Sequence, residues 1–403
     1  MDIKLQRKID RVVGTFLCRV LSLFYRGNNL PKKSYTPGRI AIILLSEMGS
    51  LVLMRPMLEY LHARYSHASF YILTFKRNLD VLKVLDLGFI EEIFTVDDRS
   101  FSGLLSDSIH TLTKMRRRKI DTVIDCELFS RISSIYSILS GAKLRVGFHP
   151  HTQEGLYRGK FINRPVLYNP YNHISQQFIT LAKAIESDEI PAVKRFIPVE
   201  NLKLPEIKIK SNEVEGFRMR FQKDYPQIDG KRWILIYPGG GLLPIRAWPL
   251  KNFCTVAKRF VQKGFIVCII GTDEDKRIAK EIESACHHSF CLDLTGYTRT
   301  ILELLILFRL SALLITNDGG PGHFAALTKT SSIIFFGPET PKLYGPLDDN
   351  SVCMYRPLSC SPCLTAYNHR NSPCNGNNIC LKRISTEEVI KKSEEILGIT
   401  EES

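Results

Sequence analysis

Leu313-Leu314-Ile315-Thr316 runs into Asn317-Asp318-Gly319-Gly320-Pro321-Gly322-His323 and then into Phe324-Ala325-Ala326-Leu327. A short apolar run bounded by turn residues reads as a strand buried on both faces. The Gly-rich loop ends that strand and opens a helix. Free backbone N–H groups and the helix dipole make such a turn an anion site. His323, in the first turn, is placed to donate to a phosphate oxygen. The plainer alternative is an N-cap Asp318 with a buried histidine.

The same alternation extends in both directions. Trp233–Tyr237 reads as a strand, Phe253–Lys263 as a helix, Phe265–Ile270 as a strand ending at Gly271, and Ser332–Phe336 as another strand. Toward the N-terminus, Arg39–Leu45 is a continuous apolar run, Ser46–Ser50 a loop and Leu51–Tyr65 a helix. Phe70–Thr74, Ile93–Val96, Thr122–Asp125 and Leu144–Gly147 follow as strands. Strands alternating with helices give βαβ units and a parallel sheet. The pattern weakens over 165–205, so the chain is expected to hold two open α/β domains joined near 200–212. Ligands bind outside the carboxyl ends of such strands, which places the expected site in a cleft between two facing sheets.

Composition agrees with a folded chain. Of 403 residues, 44% are hydrophobic and 24% charged, which excludes a disordered, collagenous or polytopic membrane protein. The 55 Lys and Arg against 41 Asp and Glu give +14, which points to an anionic partner: nucleic acid, a phosphorylated substrate or an acidic membrane. The eleven Cys are too few for a disulfide scaffold.

Residues 1–39 carry nine basic residues against Asp2 and Asp10. Ile9, Val13, Phe16, Val20 and Phe24 recur at helical steps, widened by Leu17 and Leu21, with basic residues on the other face. Such a segment suits a helix lying in an anionic lipid interface, or a terminal helix packed on its own domain. The apolar run Val12–Tyr25 is too short to span a bilayer and contains Arg19, and no secretory cleavage pattern follows. A cytoplasmic location is expected. Pro31, Pro37 and Gly38 end the helix.

Three more loops follow strand ends in the second half. Pro238-Gly239-Gly240-Gly241 lets backbone amides close on a phosphate, with Arg246 ahead of Trp248-Pro249 to pair with it as a fork. Gly271-Thr272-Asp273 and Leu294-Thr295-Gly296 are placed to line a base and ribose, though surface caps look alike.

These stretches together resemble the heptosyltransferase-like glycosyltransferases of family 9. The carriers are Asn317–His323 with Ala325-Ala326, Phe336-Gly337-Pro338, Tyr344-Gly345-Pro346, the Gly239 loop with Arg246 and Trp248-Pro249, and Gly271-Thr272-Asp273. Met48-Gly49-Ser50 with Pro56, Asp125, Arg145-Val146-Gly147 and Tyr168–His173 carry it in the first half. The likeness covers about residues 39–398. It implies a GT-B fold, α/β with two Rossmann-like domains facing across a cleft. The division is 1–38 basic amphipathic helix and linker, 39–205 acceptor-side domain, 206–385 nucleotide-sugar-binding domain, and 386–403 a helix crossing back to the first domain.

The resemblance further implies an ADP-heptose-like donor, inversion at the anomeric carbon, and an acidic lipopolysaccharide core acceptor at the inner membrane. The donor set is then Gly239, Gly240, Gly241, Arg246, Gly271, Thr272, Thr295, Gly296, Asp318, Gly319, Gly320, Gly322 and His323. Arg246 stands where the family usually has Lys, and Gly319 where it more often has Thr. Gly49, Lys76, Arg77, Arg131 and Arg145, with Lys143 and Arg158, are the acceptor-side candidates.

Ser50 departs from the family's Asp, which serves as general base. Serine needs a base of its own. Glu47 and Glu127 are the two candidate carboxylates, while Asp125 is expected to orient loop backbone. No catalytic metal is expected, because no Asp-x-Asp motif stands where it would hold the diphosphate. Cys360-x2-Cys363-x10-Cys374-x5-Cys380 allows a structural zinc, reduced packing thiols or disulfides. A catalytically inactive relative that binds glycan or lipid for assembly is the alternative to an enzyme. A nucleic-acid-binding protein is disfavoured, since no aromatic-interleaved basic motif is present.

Overall fold

A computed structural model describes residues 3–25, 35–45, 47–149, 157–187, 202–368, 370–372 and 374–399. Arg26, Pro31, Lys32 and Lys33 of the N-terminal segment, Ser46, and residues 188–201 before the expected junction lie outside the described residues.

The chain divides into two compact units, 1–202 and 203–403. In the first, α1 (Ile3–Ile9), a π-helical turn (Asp10–Gly14) and α2 (Thr15–Phe24) precede β1 (Arg39–Ile43) and α3 (Met48–Arg64). β2 (Ser69–Phe75), α4 (Leu79–Val84), β3 (Ile90–Val96), α5 (Phe101–Arg117) and β4 (Thr122–Asp125) come next. α6 (Arg131–Leu139), β5 (Leu144–Phe148), β6 (Arg164–Val166) and α7 (Ile174–Lys183) complete the unit.

The second unit holds α8 (Ser211–Asp224), β7 (Trp233–Tyr237), α9 (Leu250–Gln262), β8 (Ile266–Ile269), α10 (Lys276–Cys286) and β9 (Cys291–Asp293). It continues with α11 (Ile301–Leu310), β10 (Leu313–Asn317), α12 (Gly320–Ala326), β11 (Ser332–Phe336), α13 (Pro341–Tyr344), β12 (Ser351–Tyr355), α14 (Ile379–Lys382) and α15 (Thr386–Leu397).

Each unit carries one six-stranded sheet. The orders are β3-β2-β1-β4-β5-β6 and β12-β11-β10-β7-β8-β9, and the strands pair in parallel throughout. Counted from the first strand of each unit, both follow the Rossmann order 3-2-1-4-5-6. The chain reverses direction across the sheet between β1 and β4 and again between β7 and β10. A crevice for ligands opens at that switch point, outside the carboxyl ends of the strands.

The central strands are apolar on both faces because helices cover both. Ile40–Ile43 and Ile234–Ile236 are fully buried. In the second unit Trp248 packs edge-on to Phe253 and against Phe335, in a core that also takes Val389 and Leu397 of α15. The last helix thus packs on its own unit.

The N-terminal segment departs from its apolar stripe. Asp10 accepts from the Arg131 and Ile132 amides, so it caps α6. Gly14 is buried against α6, where an added Cβ would meet the Arg131 Cβ at 2.8 Å. Cys18 is buried, and the Ser22 hydroxyl pairs with Tyr157 Oη at 3.0 Å. The face turned inward is small and polar, and the predicted stripe is largely outside. The cause is the π turn. In an α-helix each step of four residues overshoots a full turn by about 40°, and the wider turn takes that drift back. Residues 10, 14, 18 and 22 therefore stay on one side.

Candidate active site

The second unit brings the four sequence loops, and a fifth, to one rim. Asn317 ends β10 at the switch point and is fully buried. Its Nδ2 donates to the Pro238 and Gly239 carbonyls at 2.9 and 3.0 Å, and its Oδ1 accepts from the Trp248 amide at 2.9 Å. One side chain thus clamps the Gly loop to the Arg246–Trp248 turn. Losing it would strand three buried backbone groups at about 1–3 kcal/mol each. Gly240 cannot be enlarged, because a Cβ there would sit 2.8 Å from the Pro244 Cα.

The neighbouring loops join the same rim. The Gly296 amide donates to the Gly271 carbonyl at 2.9 Å, linking the loops after β8 and β9. A Cβ on Gly239 would approach Asp275 Oδ1 to 2.8 Å, so the loops after β7 and β8 also touch. Asp273-Glu274-Asp275 does have Asp-x-Asp spacing at the end of β8. Asp275 accepts from the Thr272 amide and hydroxyl, and Asp273 pairs with Lys276. Thr295 donates its hydroxyl to Asp293 at 2.6 Å.

Arg246 stands at the centre. It donates to Glu339 Oε1 at 2.6 Å and lies 3.5 Å from Asp318 Oδ2. Asp318 follows β10, and Glu339 follows β11 after Gly337-Pro338. Arg370 approaches the same Glu339 oxygen at 3.7 Å, its guanidinium over the Tyr344 ring. Gly319, Gly320 and Gly322 enter α12 beside Asp318, and His323 is buried in its first turn. Glu339 and Arg370 escape sequence reasoning. The usable signal is a lone carboxylate directly after Gly-Pro at the end of a buried strand.

This cluster holds two carboxylates close to the Arg246 guanidinium in a buried setting, so one acid tends to keep its proton. Burial lifts Glu339 to about 7, the Arg246 charge opposing and Asp318 adding. Burial also raises Asp318. Burial alone would lower the Arg246 guanidinium, but the charges of Glu339 and Asp318 reverse that and keep it cationic.

An anionic ligand reaching Arg246 competes with ionised Glu339 and not with its protonated form. Affinity for a nucleoside diphosphate should fall about tenfold as pH rises from 6 to 8. Glu339→Gln should flatten that dependence, read by calorimetry with ADP in both proteins. Stability has the same sign. The folded pKa lies above the unfolded value, so this group's contribution is full below about 4.5 and is lost as pH climbs through about 7.

The Cys-rich segment braces this rim. The Cys363 and Leu364 amides donate to the Pro338 carbonyl, Asn378 Nδ2 donates to the Ile245 carbonyl, and Trp248 Nε1 donates to the Ile384 carbonyl. Cys360 and Cys374 are exposed, Cys363 is half-buried and accepts from the Ser372 hydroxyl, and Cys380 is buried; all are free thiols. Among the described residues no three His, Cys, Asp or Glu side chains are grouped as a metal ion requires.

In the first unit the candidate residues meet at the equivalent switch point. α3 starts at Met48, earlier than the expected Leu51, because Glu47 is its N-cap and the Glu47 carbonyl accepts from the Leu51 amide. Gly49 and Ser50 therefore sit in the first helical turn. The Ser50 hydroxyl donates to Glu47 Oε2 at 3.3 Å. Glu127, after β4, is buried and accepts from the Leu45 amide at 2.7 Å, while Asn78 donates to the Leu45 carbonyl at 2.6 Å. Its own amide donates to Asp125. Glu127 anchors the chain just after β1, and Glu47 is the half-exposed carboxylate beside Ser50.

Several basic candidates are structural. Arg145 is buried at the second position of β5 and donates to the Phe161 and Ala142 carbonyls and to Tyr25 Oη. Arg131 is buried, donates to the Tyr157 carbonyl and approaches Asp10. Arg158 is fully buried and ion-paired to Asp125. A buried guanidinium must use its donors inside, which corrects the acceptor-side reading of all three. Arg77 pairs with Asp98 at 2.8 Å over the Phe75 ring. Lys76, at the end of β2, is exposed.

Comparison with known proteins follows the same lines. A family profile described as Glycosyltransferase family 9 (heptosyltransferase) matches residues 110–372. The lipooligosaccharide heptosyltransferase 2 of Haemophilus influenzae is 27% identical over 189 residues. That match takes in 45% of this chain and 51% of the relative, so the chain spans about half the length of that relative. A family 9 glycosyltransferase structure from Veillonella parvula matches with a TM-score of 0.71 at 21% identity, over 92% of this chain and all of that one. The Escherichia coli ADP-heptose lipopolysaccharide heptosyltransferase II matches at 0.68 and 18%, over 89% and 98%. At these identities the two structures speak for the fold, a GT-B pairing of Rossmann-like units.

Proposed function

The chain belongs to glycosyltransferase family 9, the heptosyltransferases, and from that membership we propose that it moves a heptose or similar sugar from ADP-heptose to an anionic lipopolysaccharide core, inverting the anomeric carbon. The observation that carries this is Arg246, held between Asp318 and Glu339 in the turn that Asn317 clamps to the Gly239 loop. A fixed guanidinium next to strand-end amides suits a departing diphosphate.

The mechanism is direct displacement. Glu47, oriented by the Ser50 hydroxyl, takes the proton of the acceptor hydroxyl as its oxygen attacks the anomeric carbon. The bond from that carbon to the donor phosphate oxygen breaks, and ADP leaves with its growing charge met by Arg246 and the loop amides. Lys76 attracts the acidic acceptor. A lipid-borne acceptor implies work at the inner face of the cytoplasmic membrane. The inactive-relative reading finds support in Ser50 alone, and Glu47 beside it answers that point.

Calorimetry with ADP, UDP and GDP, followed by transfer from ADP-heptose to heptose-deficient lipopolysaccharide with NMR of the product linkage, tests this reading. ADP should bind tightest and the new linkage should be inverted. Preference for another nucleotide, or absence of transfer, would contradict it.

A further inference from the structure

Over residues 5–25 the helical segment turns small and polar residues toward the first unit and leaves most of its large apolar ones exposed, with Ile9, Val20 and Leu21 partly buried. Gln6, Asp10, Gly14, Cys18 and Ser22 face the first unit. Phe16 is 64% exposed, Leu23 83% and Phe24 78%, with Val12 and Leu17 also exposed. Burial of large apolar side chains contributes little to seating this segment beyond Tyr25 against Phe161. It is seated by the Asp10 cap on α6, the close approach at Gly14, and Gln6 Nε2 donating to the carbonyl and carboxylate of Asp98.

A second element repeats the pattern. α5 starts three residues after Asp98, and Phe101, Leu105 and Ile109 stand more than half exposed along one of its ridges. Ser108 Oγ and Tyr136 Oη bond at 2.5 Å, tying α5 to α6, the helix that Asp10 caps. Neither apolar row is covered among the described residues.

We propose that these two rows form one docking surface for an anionic lipid bilayer. Charge selects the occupant. The single acid in residues 3–25, Asp10, is turned inward against α6. Lys8, Arg11 and Arg19 are exposed beside the apolar row. On the N-terminal row, apolar side chains flanked by cations, with no acid facing outward among them, match acyl chains below phosphate headgroups. A second copy of this chain fits poorly, because a two-fold contact sets like patches face to face and brings these cations together. Among the described residues no helix is long and apolar enough to cross the bilayer, so the segment lies on the surface.

The surface deepens the functional reading by adding the membrane as partner, and its test needs neither donor nor acceptor. The full chain is floated with phosphatidylcholine vesicles containing or lacking 30% phosphatidylglycerol, at low and high salt. Binding should require the anionic lipid and weaken with salt. Phe16→Glu/Leu23→Glu should lower the bound fraction at least tenfold, and Leu105→Glu/Ile109→Glu on α5 should lower it severalfold. Melting temperature and ADP affinity should match the parent in both. Equal flotation of parent and both variants would overturn the proposal. So would a parent that stays off anionic vesicles yet forms a dimer by light scattering that the variants lose.

Discussion

Arg246→Gln should lower kcat/KM for the donor about 10²- to 10³-fold, the usual effect of removing one charge-stabilising donor at a site of developing negative charge. The loss should appear in both ADP affinity and kcat, because the diphosphate carries charge in the ground state and more as it leaves. Arg246→Lys should keep part of the rate, since a point charge still meets the phosphate but without the fork. Steady-state kinetics with purified donor separates these outcomes. A folding effect accompanies the catalytic one. Without the guanidinium, buried Asp318 loses its cation and Glu339 keeps only Arg370 at 3.7 Å, so the variant should lose stability as pH rises and recover it as the two acids take up protons. A variant with full activity would mean the phosphates lie elsewhere.

Glu47→Gln should remove activity differently. The amide keeps the shape and still accepts from Ser50, but it cannot take a proton. A general base contributes about 10²- to 10⁴-fold, so kcat should fall by that much while ADP affinity stays unchanged. Glu127→Gln should differ again. Its carbonyl oxygen can still accept from the Leu45 amide, so kcat should fall less than tenfold. Measuring kcat and ADP affinity for both variants tests the assignment. A larger loss from Glu127→Gln would move the base to β4. Ser50→Ala should lie between them, since the hydroxyl only orients the carboxylate.

The central strands of both sheets were legible because burial on two faces leaves an unbroken apolar run. β1, β4, β7, β10 and β11 match their expected spans closely. The edges were not legible. β3 starts with Ile90-Glu91-Glu92, β9 shows only through the loop that follows it, and β6 and β12 carry no strand signal; all four are edge strands in their sheets. Polar residues and short lengths are tolerated there, so the pattern fades.

The site divides in a similar way. The Asn317–His323 loop and the Gly239 loop announce themselves by glycine after a buried strand. Glu339 does not, because its meaning comes from Arg246, 93 positions away in the chain. Arg145 was misplaced for an opposite reason. It lies inside the strand Leu144–Phe148, which is buried on both faces, so the position alternating with Leu144 and Val146 is enclosed as well. The N-terminal segment shows its helical period in sequence but hides the π turn that decides which face is buried.

The account rests on the diphosphate meeting the strand ends of the second unit. A crystal structure with ADP tests that most directly. The account predicts a β-phosphate oxygen about 3 Å from the Arg246 guanidinium, with Glu339 drawn away from it and the Gly239–Gly241 amides turned to the phosphates. A nucleotide seated with Arg246 still locked to Glu339, or held by residues of the first unit, would contradict it.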